Sequence, residues 1–232
     1  MSARARRGMT VALIGPDGAG KTTVARRLEA ELPLPVSYLY MGVNADASNK
    51  ALPTTRLARA IKRRRGHGPD DAGPPPPPSE RRSQSRSFRK SLRATARLAN
   101  RLADEWYRQA LAWRATRRGE VVLFDRHFFA DYHAYDVEGG DRLPLSRRLH
   151  GFALARAYPK PDLVVYLDAP GEVLLARKGE GDVAALERRR ADYLRLADVA
   201  PDFVTVDATR PADDVVRAVA GEVLARTGGG DR

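Results

Sequence analysis

Apolar residues in this chain come in short runs separated by longer amphipathic stretches. "MTVALIG" is a β-branched-rich run of the kind that forms a buried parallel strand. It is followed by "KTTVARRLEAEL", in which Val24, Leu28 and Leu32 recur at helical spacing and Pro33 ends the pattern. "VSYLYMG" (Val36 to Gly42), "EVVLFDR", "DLVVYLDAP" and "DFVTVDA" read as four further strands. Helical candidates are Leu145 to Tyr158, Gly171 to Arg177, Ala184 to Ala197 and Ala212 to Arg226. Strand, crossover helix, strand is the grammar of an α/β fold: a five-stranded parallel sheet with helices on both faces.

Between the second and third strands the pattern changes. "VNADASNK" reads as loop, and "TTRLARAIKRRRG" as a short basic helix capped by Thr54 or Thr55. In "HGPDDAGPPPPPSE" the glycines, aspartates and consecutive prolines exclude helix and sheet, which predicts an extended linker over about residues 66–84. A helical stretch from Ser85 to about Arg118 follows, with Leu92, Ala96, Leu98, Leu102, Trp106, Leu111 and Trp113 on its apolar side. Its length predicts a kink or break. The 232 residues fit a single domain, 1–232, carrying residues 44–118 as a basic, Pro-rich helical insertion on the acceptor side.

The formal net charge of +12, mostly arginine, favours anionic partners such as nucleotides, nucleic acid or an acidic membrane surface. Base composition of the source genome would produce the same excess. The absence of cysteine excludes disulfides and thiolate metal sites and suits a reducing cytosol, so a cytoplasmic protein is expected. "MSARARRG" is basic, but the apolar run behind it is only a strand long. It is not read as a signal peptide, and no stretch is long enough to span a membrane.

The strongest chemical signal is "GPDGAGKTT". Gly15, Gly20, Lys21 and Thr22 fall on every fixed position of the phosphate-loop template G-x-x-x-x-G-K-[ST], between a strand and a helix as that template requires. Backbone N–H groups of Gly15, Asp17, Gly18, Ala19, Gly20 and Thr23, with the helix N-terminus, would form a concave anion site. Lys21 adds a point charge, and Thr22 is the expected Mg²⁺ ligand. The expected fold is that of a P-loop NTPase, with a magnesium nucleotide held at this loop. Three carboxylates end strands: Asp125, Asp168 and Asp207. Asp125 is the first candidate for the metal, as partner to Thr22. Asp168 is either a second candidate or a helix-capping residue, and Asp207 reads as a turn residue. Arg126 reads as a phosphate clamp or an exposed ion pair. In "ARKGEGDVAALERRRADYLRLA" the glycine-flanked basic loop reads as a closing lid bringing Arg177, Lys178 and Arg190 to the phosphates, or as a solvated helix with ordinary ion pairs.

Together, "GPDGAGKTT", the "DR" after the third strand, "PDLVVYLDAP", "RKGE" and "RRADYLRLA" resemble thymidylate kinase and its relatives in the nucleoside monophosphate kinase group. The resemblance covers Met9 to Glu31 and Glu120 to about Val216. It implies that Lys21 and Thr22 bind ATP phosphates and Mg²⁺ and that Asp17 touches the acceptor. It also implies that Asp125 and Arg126 serve the acceptor phosphate and metal, that Arg177 and Arg190 belong to the lid, that Thr209 and Arg210 lie near adenine, and that the protein is a homodimer. The middle departs from the family: where a thymidylate kinase carries an "REPGGT"-like segment whose arginine holds the monophosphate, this chain has "YMGVNADAS".

The expected activity is ATP- and Mg²⁺-dependent phosphoryl transfer to a small phosphorylated acceptor, a nucleoside monophosphate first. The catalytic set is Lys21, Asp125, Arg126 and Arg177, and an alcohol acceptor would bring in Asp17 or Asp131. Kinase action on a non-nucleotide molecule is the alternative within the class. A nucleic-acid-associated ATPase using Arg56 to Arg118 is the alternative outside it, with nucleic acid not favoured as a partner. A GTPase switch is disfavoured, because "NKAL" lacks the guanine-reading aspartate. His67, His127, His133 and His150 lack metal-ligand spacing and read as structural or solvated, although His127 could also line the acceptor site. The aromatic run "FFADYHAYD" reads equally as acceptor wall or core.

Overall fold

The computed structural model describes residues 8–42, 88–132, 145–179 and 182–228. The basic helix, the proline linker, His67 and His133 lie outside the described residues. The chain divides into two compact units.

In the first unit, β1 (Met9–Ile14), β2 (Val36–Tyr40), β3 (Val121–Asp125), β4 (Leu163–Asp168) and β5 (Phe203–Asp207) form a five-stranded sheet in the order β2-β3-β1-β4-β5. Every pairing is parallel. All residues of β1 and β3 are buried, and all but the last of β4. Successive side chains on a strand point to opposite faces, so burial at every position means that both faces are covered. The unit also holds α1 (Lys21–Glu31) and the C-terminal turns of α2 (Phe88–Arg117). Leu13, Ile14, Leu28, Phe124, Leu163, Leu167 and Leu174 are fully buried. The start of β1 is tied to the chain before β4: Thr10 N–H and Oγ1–H donate to Asp162 Oδ2 at 2.8 and 2.7 Å.

Later in the same unit come α5 (Gly171–Lys178), α6 (Val183–Leu194) with a 3₁₀ turn at Arg195–Asp198, and α7 (Ala212–Gly228). Asp182 caps α6 by accepting from the Ala185 N–H at 3.1 Å, and Glu187 Oε1 accepts the orphan Gly171 N–H at the start of α5 at 2.5 Å.

The second unit holds residues 88–110 of α2, α3 (Phe128–Tyr132) and α4 (Leu145–Phe152), which runs into a π-helical turn at Ala153–Ala157. Its interior is polar as well as aromatic. Asp104 accepts from Arg108, His150 Nε2 lies 3.2 Å from Glu105 Oε1, and all four residues are buried. The Arg108 guanidinium covers the Phe128 ring at 4.4 Å, and Tyr158 meets Trp106 and Phe128. Phe128 and Phe129, which open the aromatic run, are therefore packed inside.

The expected break in α2 is absent. All 30 residues of Phe88–Arg117 are one helix, and they contain neither proline nor glycine, the residues that most often interrupt one.

Candidate functional site

Because β1 lies between β3 and β4, the sheet reverses direction of growth at the carboxyl end of β1, where ligands bind in open parallel sheets. The loop Gly15–Gly20 occupies that point. Gly15, Gly18 and Gly20 have φ of 144°, 90° and 87°, a region that side chains disfavour. Space adds a second constraint: a Cβ on Gly15 would lie 2.7 Å from Leu167 O, and one on Gly18 2.8 Å from Leu174 O. At Gly20, α1 begins without a side-chain cap and with no acidic residue in its first turn. The N–H groups of that turn and the positive end of the helix dipole remain for an anion.

Lys21 is 5% exposed, and its Nζ donates to Gly15 O at 2.7 Å and Pro16 O at 2.8 Å. The ammonium therefore sits inside the loop. The next residue, Thr22, donates from Oγ1 to Asp125 Oδ2 at 2.6 Å across 103 positions of sequence. Tyr38, on β2, donates to the same oxygen at 2.8 Å. Burial, with the Asp125 carboxylate beside it, pushes the Tyr38 phenol well above its usual range, so it remains a donor. Asp125 is fully buried, and its Oδ1 has no hydrogen-bond partner among the described residues. A buried carboxylate oxygen without a donor is costly.

These features fit Mg²⁺. No cluster of three or more acidic, His or Cys side chains occurs among the described residues, but this cation binds through one or two carboxylates with waters and substrate phosphates. Thr22 with its lone pairs free, and Asp125 beside it, make such a donor set.

A second cluster surrounds Asp17. Its carboxylate accepts from Arg126, accepts from Lys178 Nζ at 3.1 Å, and lies 3.9 Å from Lys21 Nζ. Burial alone would raise the Asp17 pKa, yet Arg126, Lys21 and Lys178 together hold it well below the ordinary carboxylate range. Arg126 adopts φ 68°, the one non-glycine residue with positive φ among those described, and its N–H donates to Leu13 O at 3.1 Å. Cations from the loop, the end of β3 and the end of α5 thus converge on one carboxylate.

Most of the remaining expected residues are placed elsewhere in the same unit. Arg190 forks onto Asp168, Nε to Oδ1 at 2.6 Å and Nη2 to Oδ2 at 2.8 Å, with Tyr166 OH donating to Asp168 Oδ1 at 3.0 Å. The hydrogen bonds from Arg190 lower the Asp168 pKa. Asp168 does not cap α5, whose N-cap is Pro170. Arg177 donates to Ala208 O at 2.8 Å. Asp207 Oδ1 accepts from Thr209 N–H and Oγ1–H, as a turn residue should. His127 is buried against Phe124, and burial lowers its pKa to about 3, so the ring is neutral. His150 faces Glu105 in the second unit. The Asp131 side chain lies outside what is described.

Sequence reasoning missed Tyr38. Its contact with Asp125 follows from β2 lying next to β3, which no local pattern in "VSYLY" announces.

Comparison with known proteins decides the family. The thymidylate kinase of Xanthomonas euvesicatoria pv. vesicatoria is 31% identical over 218 residues, which cover 90% of this chain and 80% of that one. The chain belongs to the thymidylate kinase family. The enzyme of Lactobacillus helveticus is 28% identical over 226 residues, 92% of this chain and 94% of that one. Among solved structures, thymidylate kinase from Candida albicans aligns with a TM-score of 0.60 over 96% of this chain and 93% of that one, at 17% identity, a likeness of fold. No protein-family model matches the chain. Membership makes the chain a P-loop phosphotransferase that acts in nucleoside monophosphate phosphoryl transfer. Among the described residues no helix is long and apolar enough to cross a membrane.

Proposed function

We propose that the chain transfers the γ-phosphoryl group of ATP, with Mg²⁺, to the phosphate of a nucleoside monophosphate. The observation that carries this reading is the contact of Thr22, the residue after the loop lysine, with the buried carboxylate of Asp125. Phosphoryl transfer needs positioning and positive charge rather than covalent help from the protein. An acceptor phosphate oxygen forms the new bond to the γ-phosphorus as the bond to the β–γ bridging oxygen breaks, leaving ADP.

The glycine loop and the first turn of α1 hold the phosphates through backbone N–H groups, and Lys21 exchanges its loop carbonyls for phosphate oxygens. Arg126 moves from Asp17 to the acceptor or transferring phosphate. Thr22 and Asp125 hold Mg²⁺, which supplies charge neutralisation on the phosphates. Once Arg126 leaves, Asp17 Oδ1 can accept from an acceptor hydroxyl while Oδ2 keeps Lys178. Arg177 and Arg190 act as lid residues, reaching the phosphates after leaving Ala208 O and Asp168. A homodimer is the proposed assembly, by likeness to the family.

Broad substrate specificity is ascribed to the Candida albicans relative, so the acceptor panel must be wide. The test is ATP consumption with Mg²⁺ across deoxynucleoside monophosphates, ribonucleoside monophosphates, nucleosides and phosphosugars, each against Lys21→Ala. Lys21-dependent turnover with a nucleoside monophosphate is the expected result. Turnover only with a nucleoside or phosphosugar, or none at all, overturns it.

A further inference from the structure

Asp125 Oδ2 accepts two hydroxyl hydrogens while Oδ1 accepts none among the described residues. One of the donors, Thr22, belongs to the phosphate loop and is expected from its motif. The other, Tyr38, belongs to β2 and to no motif. We propose that Tyr38 is a positioning residue for the divalent cation: its hydroxyl fixes the rotation of the Asp125 carboxylate, so that Oδ1 is the oxygen left for the metal or a metal-bound water. The inference rests on the Mg²⁺-ATP reading above.

Three observations support it. A terminal carboxylate torsion is soft, so one hydrogen bond from Thr22 does not choose which oxygen faces the metal. A second donor to the same oxygen, at 2.8 Å from a neighbouring strand, does choose. The strand register places Tyr38 opposite Leu123 and Tyr40 opposite Asp125, so the phenol reaches Asp125 diagonally from a backbone that the sheet holds rigid. The ring is itself fixed, 8% exposed and covered at 3.8 Å by the Arg26 guanidinium from α1. A hydroxyl held this firmly orients a ligand as outer partners do around other metal sites, where their loss costs about 10- to 100-fold in metal affinity.

The test is titration of a fluorescent ATP analogue into the full chain, wild type and Tyr38→Phe, once with Mg²⁺ and once with EDTA, followed by Mg²⁺ titration at fixed nucleotide. Phenylalanine keeps the ring and its packing against Arg26. Equal affinities in EDTA and a Mg²⁺ midpoint raised roughly tenfold in the variant are expected. A wild-type Mg²⁺ midpoint in Tyr38→Phe overturns the assignment. So does an equal loss with and without metal, which marks a structural role. Arg26→Ala, which uncovers the ring from the solvent side, should shift the same midpoint in the same direction by a smaller factor, and supplies the measurement if Tyr38→Phe folds poorly. An unchanged midpoint there again overturns it. If wild type gains no affinity from Mg²⁺, the Mg²⁺-ATP reading fails and the inference with it, an outcome visible without any variant.

Discussion

Asp17→Asn separates two roles that one carboxylate could have. Asp17 is the counter-anion of Arg126, Lys178 and Lys21, groups that a nucleotide phosphate would otherwise occupy. Amidation leaves those cations together without their anion. At 3.9 Å a unit pair is worth about 1 kcal/mol in water and about 4 kcal/mol at an effective dielectric near 20, before desolvation and entropy are charged against it. Asp17 and Lys178 are 32% and 43% exposed, so the lower end applies. Exposed pairs retain about 0.2–1 kcal/mol each, which gives about 2 kcal/mol for the cluster. For a chain of this size that is a fall in Tm of about 4–8 °C. The same change should strengthen nucleotide binding, because phosphate no longer displaces a resident carboxylate. About 1 kcal/mol of relief is roughly a fivefold gain in ATP affinity. The assay is thermal melting with and without ATP or tripolyphosphate, at low and high salt. The variant should melt lower alone, gain more from either polyanion than wild type does, and lose that advantage as salt screens the cluster. If the variant melts with wild type, or ATP protects it less, Asp17 is not the resident counter-anion. A drop in turnover with unchanged ATP binding would instead assign Asp17 to the acceptor alone.

Lys21→Ala should lower turnover by at least about 100-fold, since the loop loses the ammonium held inside it, while the circular dichroism spectrum stays that of the wild type. Gly18→Ala places a Cβ 2.8 Å from Leu174 O at a φ of 90°, and should cost about 1–3 kcal/mol in urea unfolding along with ATP binding. Asp168→Ala removes the fork that holds Arg190 and, with both side chains 20–30% exposed, should cost about 1 kcal/mol. If Arg190 serves the phosphates, ATP protection of this variant in limited proteolysis is retained. Asp202 is held below its ordinary pKa chiefly by hydrogen bonds from Arg226. A carboxylate with a depressed folded-state pKa stabilises above its unfolded value near 3.9 and loses that contribution as pH falls below it. Asp202→Asn should therefore lower the urea midpoint by the equivalent of less than about 1 kcal/mol at pH 7, and the gap to wild type should close below about pH 4.

What the sequence revealed and what it withheld divide by the range of the interaction. Runs such as "VVLFD" and "LVVYLD" are strands because their residues are buried on both faces, a condition written into each run locally. The glycine loop is local in its backbone: Gly15, Gly18 and Gly20 all have positive φ, so spacing alone finds them, although the Leu167 and Leu174 carbonyls that also crowd Gly15 and Gly18 come from far along the chain. Asp125 was legible because it terminates an apolar strand, although its partner stands 103 positions away. Tyr38 was not, because its meaning depends on β2 lying next to β3, and nothing within "VSYLY" states which strand will be its neighbour. The same holds for the arginines. Arg126, Arg177 and Arg190 carry charge where phosphates are expected, but only the folded chain supplies Asp17, Ala208 O and Asp168 as their resident acceptors. A cation already paired must exchange partners to serve a nucleotide. On the proposed reading, affinity for ATP is a difference between phosphate and protein acceptors, and the oxygens of Asp17, Asp168 and Ala208 that compete for those arginines set it as much as the arginines do.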